Sequence, residues 1–228
     1  MSRIEELAGQ LGEEGELARA GAFELDPERA RAKLEKFQLQ DPHHYVLELI
    51  QAAHLLGATE IHITQDADEF ELVCDAQPVA PRQLAELDAA AFSRRGGRVR
   101  RAMRKLAIGL NAARALRPAH IFVEAHAPDG QGLCLVLEGD APPHLDEGLE
   151  LGHDGLRIYV RERFRGAHLL EFFSKFRGQL NEAVAIRQRC RHARVPIFYN
   201  GERVNAGPRL PEGLKALARF EREHEHGV

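Results

Sequence analysis

The stretch between Asp41-Pro42 and Gly57 constrains the fold more than any other part of the chain. Asp41 followed by Pro42 is a helix start, with a side-chain cap and a proline at the first helical position. Gly57 is a C-terminal stop. Between them Val46, Leu49, Ile50, Ala53 and Leu56 recur at helical spacing. The opposite side carries Glu48 with Ala52 and Leu55, and His44 and Gln51 at its edges. A helix that is apolar almost all round is covered on both sides, so this one belongs inside a layered fold. Glu48 then sits in a cleft or under a covering loop. A carboxylate in such a place tends to have a raised pKa and is a candidate general base. Paired with an arginine of the basic segment nearby, it is a structural ion pair instead. Both readings stay open at this level.

The rest of the chain defines the layers. TEIHITQ (59–65) and FELVCD (70–75) alternate as strands and flank Asp66-Ala67-Asp68, which predicts a hairpin. Residues 81–90 read as a short helix, and 103–116 as an apolar helix stopped by Pro118. Strands are predicted at 119–126, 132–138 and 155–162, and helices at HLLEFFSKF (168–176) and 180–190. Asn200-Gly201 within VPIFYNGERVN is a strong hairpin signal. Asp26-Pro27 opens an earlier helix with Ala30, Leu34 and Phe37 on one face, and residues 211–226 read as a polar terminal helix. Helices and strands come in runs and do not alternate. The expectation is therefore an α+β fold, with helices on one face of a mixed, mostly antiparallel sheet. At 228 residues this reads as a single domain. Residues 1–22 form an N-terminal arm or helix, 23–206 the core, and 207–228 a polar C-terminal helix and tail.

Composition excludes several classes. No run of 18 apolar residues occurs, so no membrane span is expected. The acidic start lacks the apolar core of a secretory signal. Cys74, Cys134 and Cys190 are odd in number and far apart, which fits neither a disulfide framework nor a zinc knuckle. A cytoplasmic location is the resulting expectation. His43-His44, Cys190-Arg191-His192 and His224-Glu225-His226 each fall short of a zinc ligand set. Ser93 and Ser174 lack a nucleophile elbow. The chain holds 31 basic against 35 acidic residues, a net charge of −4. Seven of the basic residues lie in RRGGRVRRAMRK (94–105), leaving 24 against 35 elsewhere, a balance of −11. An acidic body with one basic segment needs a partner or a structural reason.

The stretch HYVLELIQAAHLLGATEIHITQDADEFELVCDAQPVAPRQLAEL (44–87) resembles the opening of the GHKL ATP-binding domain. That domain is shared by DNA gyrase, the 90-kDa heat-shock chaperone, histidine kinases and MutL, and the chaperone is the most similar in kind. RRAMRKLAIGLNAARALRPAHIFVEA (100–125) resembles the family's lid end, its helix and the next strand, GLRIYV (155–160) its late strand, and VPIFYNGERV (195–204) its closing strand pair. The resemblance covers about residues 24–205 and implies a two-layer α/β sandwich of the Bergerat type.

Motif by motif, the resemblance implies a pocket that is only partly kept. Glu48 matches the family's water-activating glutamate, Asp75 its adenine-reading aspartate, and Gly109 and Gly155 two of its glycines. Ala52 stands where the family has its Mg²⁺-binding asparagine, and a methyl group cannot ligate a hard cation. Gln77, Val79 and Asn111 replace glycines that admit the nucleotide, and Leu156 replaces a threonine. ATP or ADP are the ligands implied, with Mg²⁺ disfavoured by Ala52. The basic segment aligns with the lid, so Arg94, Arg95 and Arg98 are candidate phosphate contacts. The expectation is a pseudo-ATPase that senses or binds nucleotide, or acts as a scaffold for a protein partner. The alternatives are an active ATPase with Glu48 as general base, and nucleic-acid binding through 94–105.

Overall fold

A computed structural model describes residues 39, 41–93, 96–139, 141–162 and 180–205. They form an α+β fold built on one mixed eight-stranded sheet. The strands are β1 (Ile61–Gln65), β2 (Glu69–Cys74), β3 (His120–His126), β4 (Gly132–Leu137), β5 (His144–Leu149), β6 (Leu156–Arg161), β7 (Ile197–Tyr199) and β8 (Glu202–Arg203). The helices are α1 (Tyr45–Leu55), α2 (Pro81–Ala85), α3 (Leu87–Ala90), α4 (Arg98–Ala115) and α5 (Asn181–Arg189). The sheet order is β5-β4-β3-β6-β2-β1-β7-β8. Every pair is antiparallel except β1 with β7.

Turn chemistry sets the hairpins. Between β1 and β2 the Asp66 carboxylate accepts the amides of Asp68 (3.0 Å) and Glu69 (2.9 Å), closing the loop. Between β7 and β8, Asn200 and Gly201 both have positive φ (48° and 80°), the backbone a two-residue hairpin turn requires. The Asn200 side chain also accepts from Gln65 N at 2.8 Å and donates to Gln65 O at 2.9 Å. It thereby fastens the β7–β8 hairpin to the end of β1.

Alternate strand residues form the core. Ile61, Ile63, Phe70, Leu72, Ile121, Val123, Leu156 and Ile158 are all buried, and they share one cluster with Leu49, Leu106 and Leu110 of the two main helices. Within α4, a Cβ on Gly109 would stand 2.7 Å from Leu49 Cδ2 and 3.2 Å from the Tyr45 carbonyl. Glycine at this point lets α1 and α4 close on each other. The three cysteines are free thiols within the core; burial pushes Cys74 up to about 12, and Cys134 and Cys190 to about 11.

The sequence expectations meet three differences. Helix α4 starts at Arg98, so part of the basic segment is helical. The 81–90 helix is broken at Glu86 into α2 and α3. Strand β5, His-Leu-Asp-Glu-Gly-Leu, was not anticipated; it is a sheet edge, largely exposed, and has no alternating apolar pattern to betray it. The expected arm at 1–22, the helix opened by Asp26, the helix at 168–176 and the helix at 211–226 lie outside the described residues. No helix among the described residues is long and apolar enough to cross a membrane.

A buried polar junction ties α5 to the start of α1. His43 Nδ1 lies 2.6 Å from Glu182 Oε1, Gln65 Nε2 donates to Glu182 Oε2 at 3.2 Å, and Tyr199 Oη donates to Gln65 Oε1 at 3.0 Å. The hydrogen bond to Glu182 holds the His43 pKa above its ordinary 6.5. Burial lifts the Glu182 carboxyl, but the hydrogen bond and charge of His43 outweigh it and leave that pKa below 4.5. The raised histidine contributes stability that is complete below pH 6.5 and is lost as pH rises through the raised value. The lowered carboxylate contributes stability that is lost only as pH falls below 4.5. Urea midpoints measured from about pH 6 to about pH 9 should therefore fall with pH, and His43→Gln should flatten that fall.

Candidate functional site

The described residues singled out by the family resemblance lie on α1, on α4, and around the segments that follow β2 and precede β6. Glu48 leaves α1 toward α4 and meets Lys105. The ammonium donates to Oε1 at 3.1 Å and stands 2.8 Å from Oε2. Oε2 is buried and faces the ammonium charge. The glutamate side chain is 14% exposed and the lysine 32%, so the pair is shielded but not sealed from water. Of the two sequence readings, this geometry is the ion pair, with a lysine where an arginine was expected.

One turn along α1, Ala52 is fully buried. Its methyl group offers nothing to a cation that demands oxygen ligands, and among the described residues no group of three or more His, Cys, Asp or Glu could hold a metal ion.

Asp75 ends β2 but turns outward. Its carboxylate accepts the Thr59 amide at 2.7 Å, the Glu60 amide at 3.2 Å and the Thr59 hydroxyl. The hydroxyl contact is the main reason its pKa lies below the usual carboxylate range. With three donors around an exposed carboxylate, Asp75 pins the 58–60 turn to β2. The segment after it is tied down as well. Gln77 N donates to Leu56 O at 2.9 Å, and Val79 N to His126 O at 2.8 Å. Backbone amides at these two positions are consumed within the protein. Val79 is also fully buried, whereas Gln77 is exposed and lies over Gly57.

The two kept glycines have packing roles. Gly109 serves the α1–α4 contact. Gly155 has φ +78°, and a Cβ there would lie 2.1 Å from Cys74 O and 2.8 Å from Ala76 N. It lets the start of β6 run against the backbone around Asp75. Asn111 is buried on α4 and lines, with Leu84, Leu110, Leu135 and Leu137, a cavity of about 20 Å³, enough for one water. Arg98 donates from Nη2 to His54 O at 2.9 Å, capping the end of α1. Burial first, then Arg98 and Arg194, hold the His54 pKa below its ordinary value. Arg94 and Arg95 lie outside the described residues.

The structure thus brings Glu48, Ala52, Gly109 and Lys105 into one helix seam, and Asp75 and Gly155 into an adjoining strand-end turn. Lys105 is the residue the sequence reading passed over. Its signal was available: it lies four residues before Gly109, on the same face of α4.

Two variants probe these roles. Lys105→Met should cost about 1–3 kcal/mol in urea unfolding by stranding Glu48, and Glu48→Gln added to it should recover most of that loss. Gly155→Ala should cost about 3 kcal/mol or more, since both the positive φ and the Cys74 carbonyl oppose a side chain. Compared with known proteins, the sequence matches no protein-family model and no curated protein.

Proposed function

We propose that the chain is a degenerate GHKL-type nucleotide-binding domain, a two-layer Bergerat-type sandwich that has lost Mg²⁺-dependent hydrolysis and works as a nucleotide-sensing or scaffold module. What supports this is the resemblance of segments 44–87, 100–125, 155–160 and 195–204 to the family, together with the state of the motif positions. The Glu48–Lys105 ion pair beside the buried Ala52 methyl carries the reading. A carboxylate neutralised by an ammonium is a poor base for water. A methyl in the metal position removes the ion that would bridge and neutralise the phosphates. The occupied amides at positions 77 and 79 remove two backbone donors that could face a phosphate.

A second reading, an active ATPase with Glu48 as general base, draws on one observation. The pair is not sealed, with the Glu48 side chain 14% and the Lys105 side chain 32% exposed, so water has access to the carboxylate. Calorimetric titration with ATP and ADP, with and without Mg²⁺, separates the two, alongside phosphate-release measurements. The expected outcome is no gain in affinity from Mg²⁺, and phosphate release equal to the blank in both the native protein and Glu48→Ala. Micromolar Mg²⁺-dependent binding with turnover abolished by Glu48→Ala would establish the active reading instead.

A further inference from the structure

The first two turns of α4 carry an arginine stripe of which the contacts above use only Arg98. Arg98, Arg100, Arg101 and Arg104 are exposed, and the first turn contains no acidic residue. The buried face of this 18-residue helix runs through Ala102, Met103, Leu106, Leu110 and Ala113. At helical spacing, Arg100, Arg101 and Arg104 fall together on the opposite side. None of these three makes an ion pair or hydrogen bond with a described residue. Four other arginines are paired with acids: Arg82 with Glu86, Arg157 with Glu71 and Glu124, Arg161 with Glu69, and Arg187 with Glu202. The one lysine of the segment, Lys105, is already committed to Glu48.

The stripe sits where a helix tolerates cations least. The N-terminal end of a helix dipole is positive and favours acids. Adjacent guanidinium groups repel one another as well. An anion bound from outside would relieve both effects. Planar guanidinium groups match phosphate oxygens in a two-point contact that an ammonium cannot make. Arg100 and Arg104 stand one helical turn apart with Arg101 beside them, so they meet successive charges along a polymer and do not converge on one small ion.

The type of polymer follows from what the stripe lacks. Two large apolar side chains near the helix start are exposed, Phe92 and Val99, but Phe92 precedes the helix and Val99 falls at helical spacing on the side of the buried face. The three arginines are interleaved with no aromatic group and offer no stacking surface for single-stranded bases. The apolar face of α4 is spent in the core and cannot enter a bilayer. We propose that Arg100, Arg101 and Arg104 form a docking surface for the sugar–phosphate backbone of double-stranded nucleic acid. Arg98 and Arg194, both close to His54, extend the positive field across the end of α1. This proposal is independent of whether the domain binds nucleotide.

The test is fluorescence anisotropy of the full chain with a labelled DNA duplex of about 20 base pairs over a salt series. Log affinity should fall linearly with log salt, and the triple variant Arg100→Gln, Arg101→Gln, Arg104→Gln should reduce the magnitude of the slope by about 3, at roughly 0.9 per lost phosphate contact. A control with Arg189→Gln and Arg203→Gln, on α5 and β8, should keep the native slope. The triple variant should melt no lower than the native protein, because it relieves repulsion at the helix start. Binding that is absent, insensitive to salt or unchanged in the triple variant would overturn the proposal. So would tighter binding to polyglutamate or to phosphatidylserine vesicles at the same salt.

Discussion

The close contact of α1 with α4 is the constraint on which the rest of the site depends. Gly109 lets Leu49 and the Tyr45 carbonyl approach the α4 backbone, at distances a side chain would forbid. Lys105 lies one turn earlier on the same face, opposite Glu48, so the ion pair and the apolar contact belong to one seam. Ala52 and Ala53 on α1, and Ala102 and Ala113 on α4, are fully buried. A side chain long enough to hold a metal at position 52 would have to displace the seam. On the proposed reading, the loss of the metal ligand and the tight packing of the helices are therefore one event.

The strand-end turn follows the same logic. Asp75 and Gly155 are the residues a ligand-centred reading would keep, yet each has a sufficient role in the fold. The Asp75 carboxylate collects three donors from Thr59 and Glu60, and Gly155 allows β6 to start against the Cys74 carbonyl. Retention of these two residues thus says little about nucleotide. The occupied amides of Gln77 and Val79 say more, because a donor already bound to Leu56 or His126 has to be released before it can meet a phosphate.

Much of the fold was legible because local chemistry and global pattern agree. The Asp41-Pro42 start, the Asp66 turn, the Asn200-Gly201 hairpin and the alternation in β1, β2, β3 and β6 each carry their own signal. Strand β5 carries none. An exposed edge needs no apolar alternation, and only its pairing with β4 makes it a strand. The early start of α4 was hidden for the opposite reason. Four arginines at the positive end of a helix contradict the acidic start signal, Gly97 caps it without a side chain, and tertiary packing of Ala102, Met103 and Leu106 overrides the repulsion. In the site, Glu48 and Ala52 could be located from spacing alone. The partner of Glu48 could not, because it depends on the rotation of a second helix about its axis.

That rotation also divides α4 between two tasks. Packing Gly109 and Leu106 inward forces Arg100, Arg101 and Arg104 outward, whatever the helix start would prefer. The overall charge of −4 conceals this arrangement, since the chain outside 94–105 carries −11. A mixed-charge surface would give a polyanion many weak orientations. An acidic chain with a cationic stripe favours approach along that stripe. On the proposed reading, the electrostatic cost held at the start of α4 is directional, because relieving it with internal acids would remove the positive face that the stripe presents.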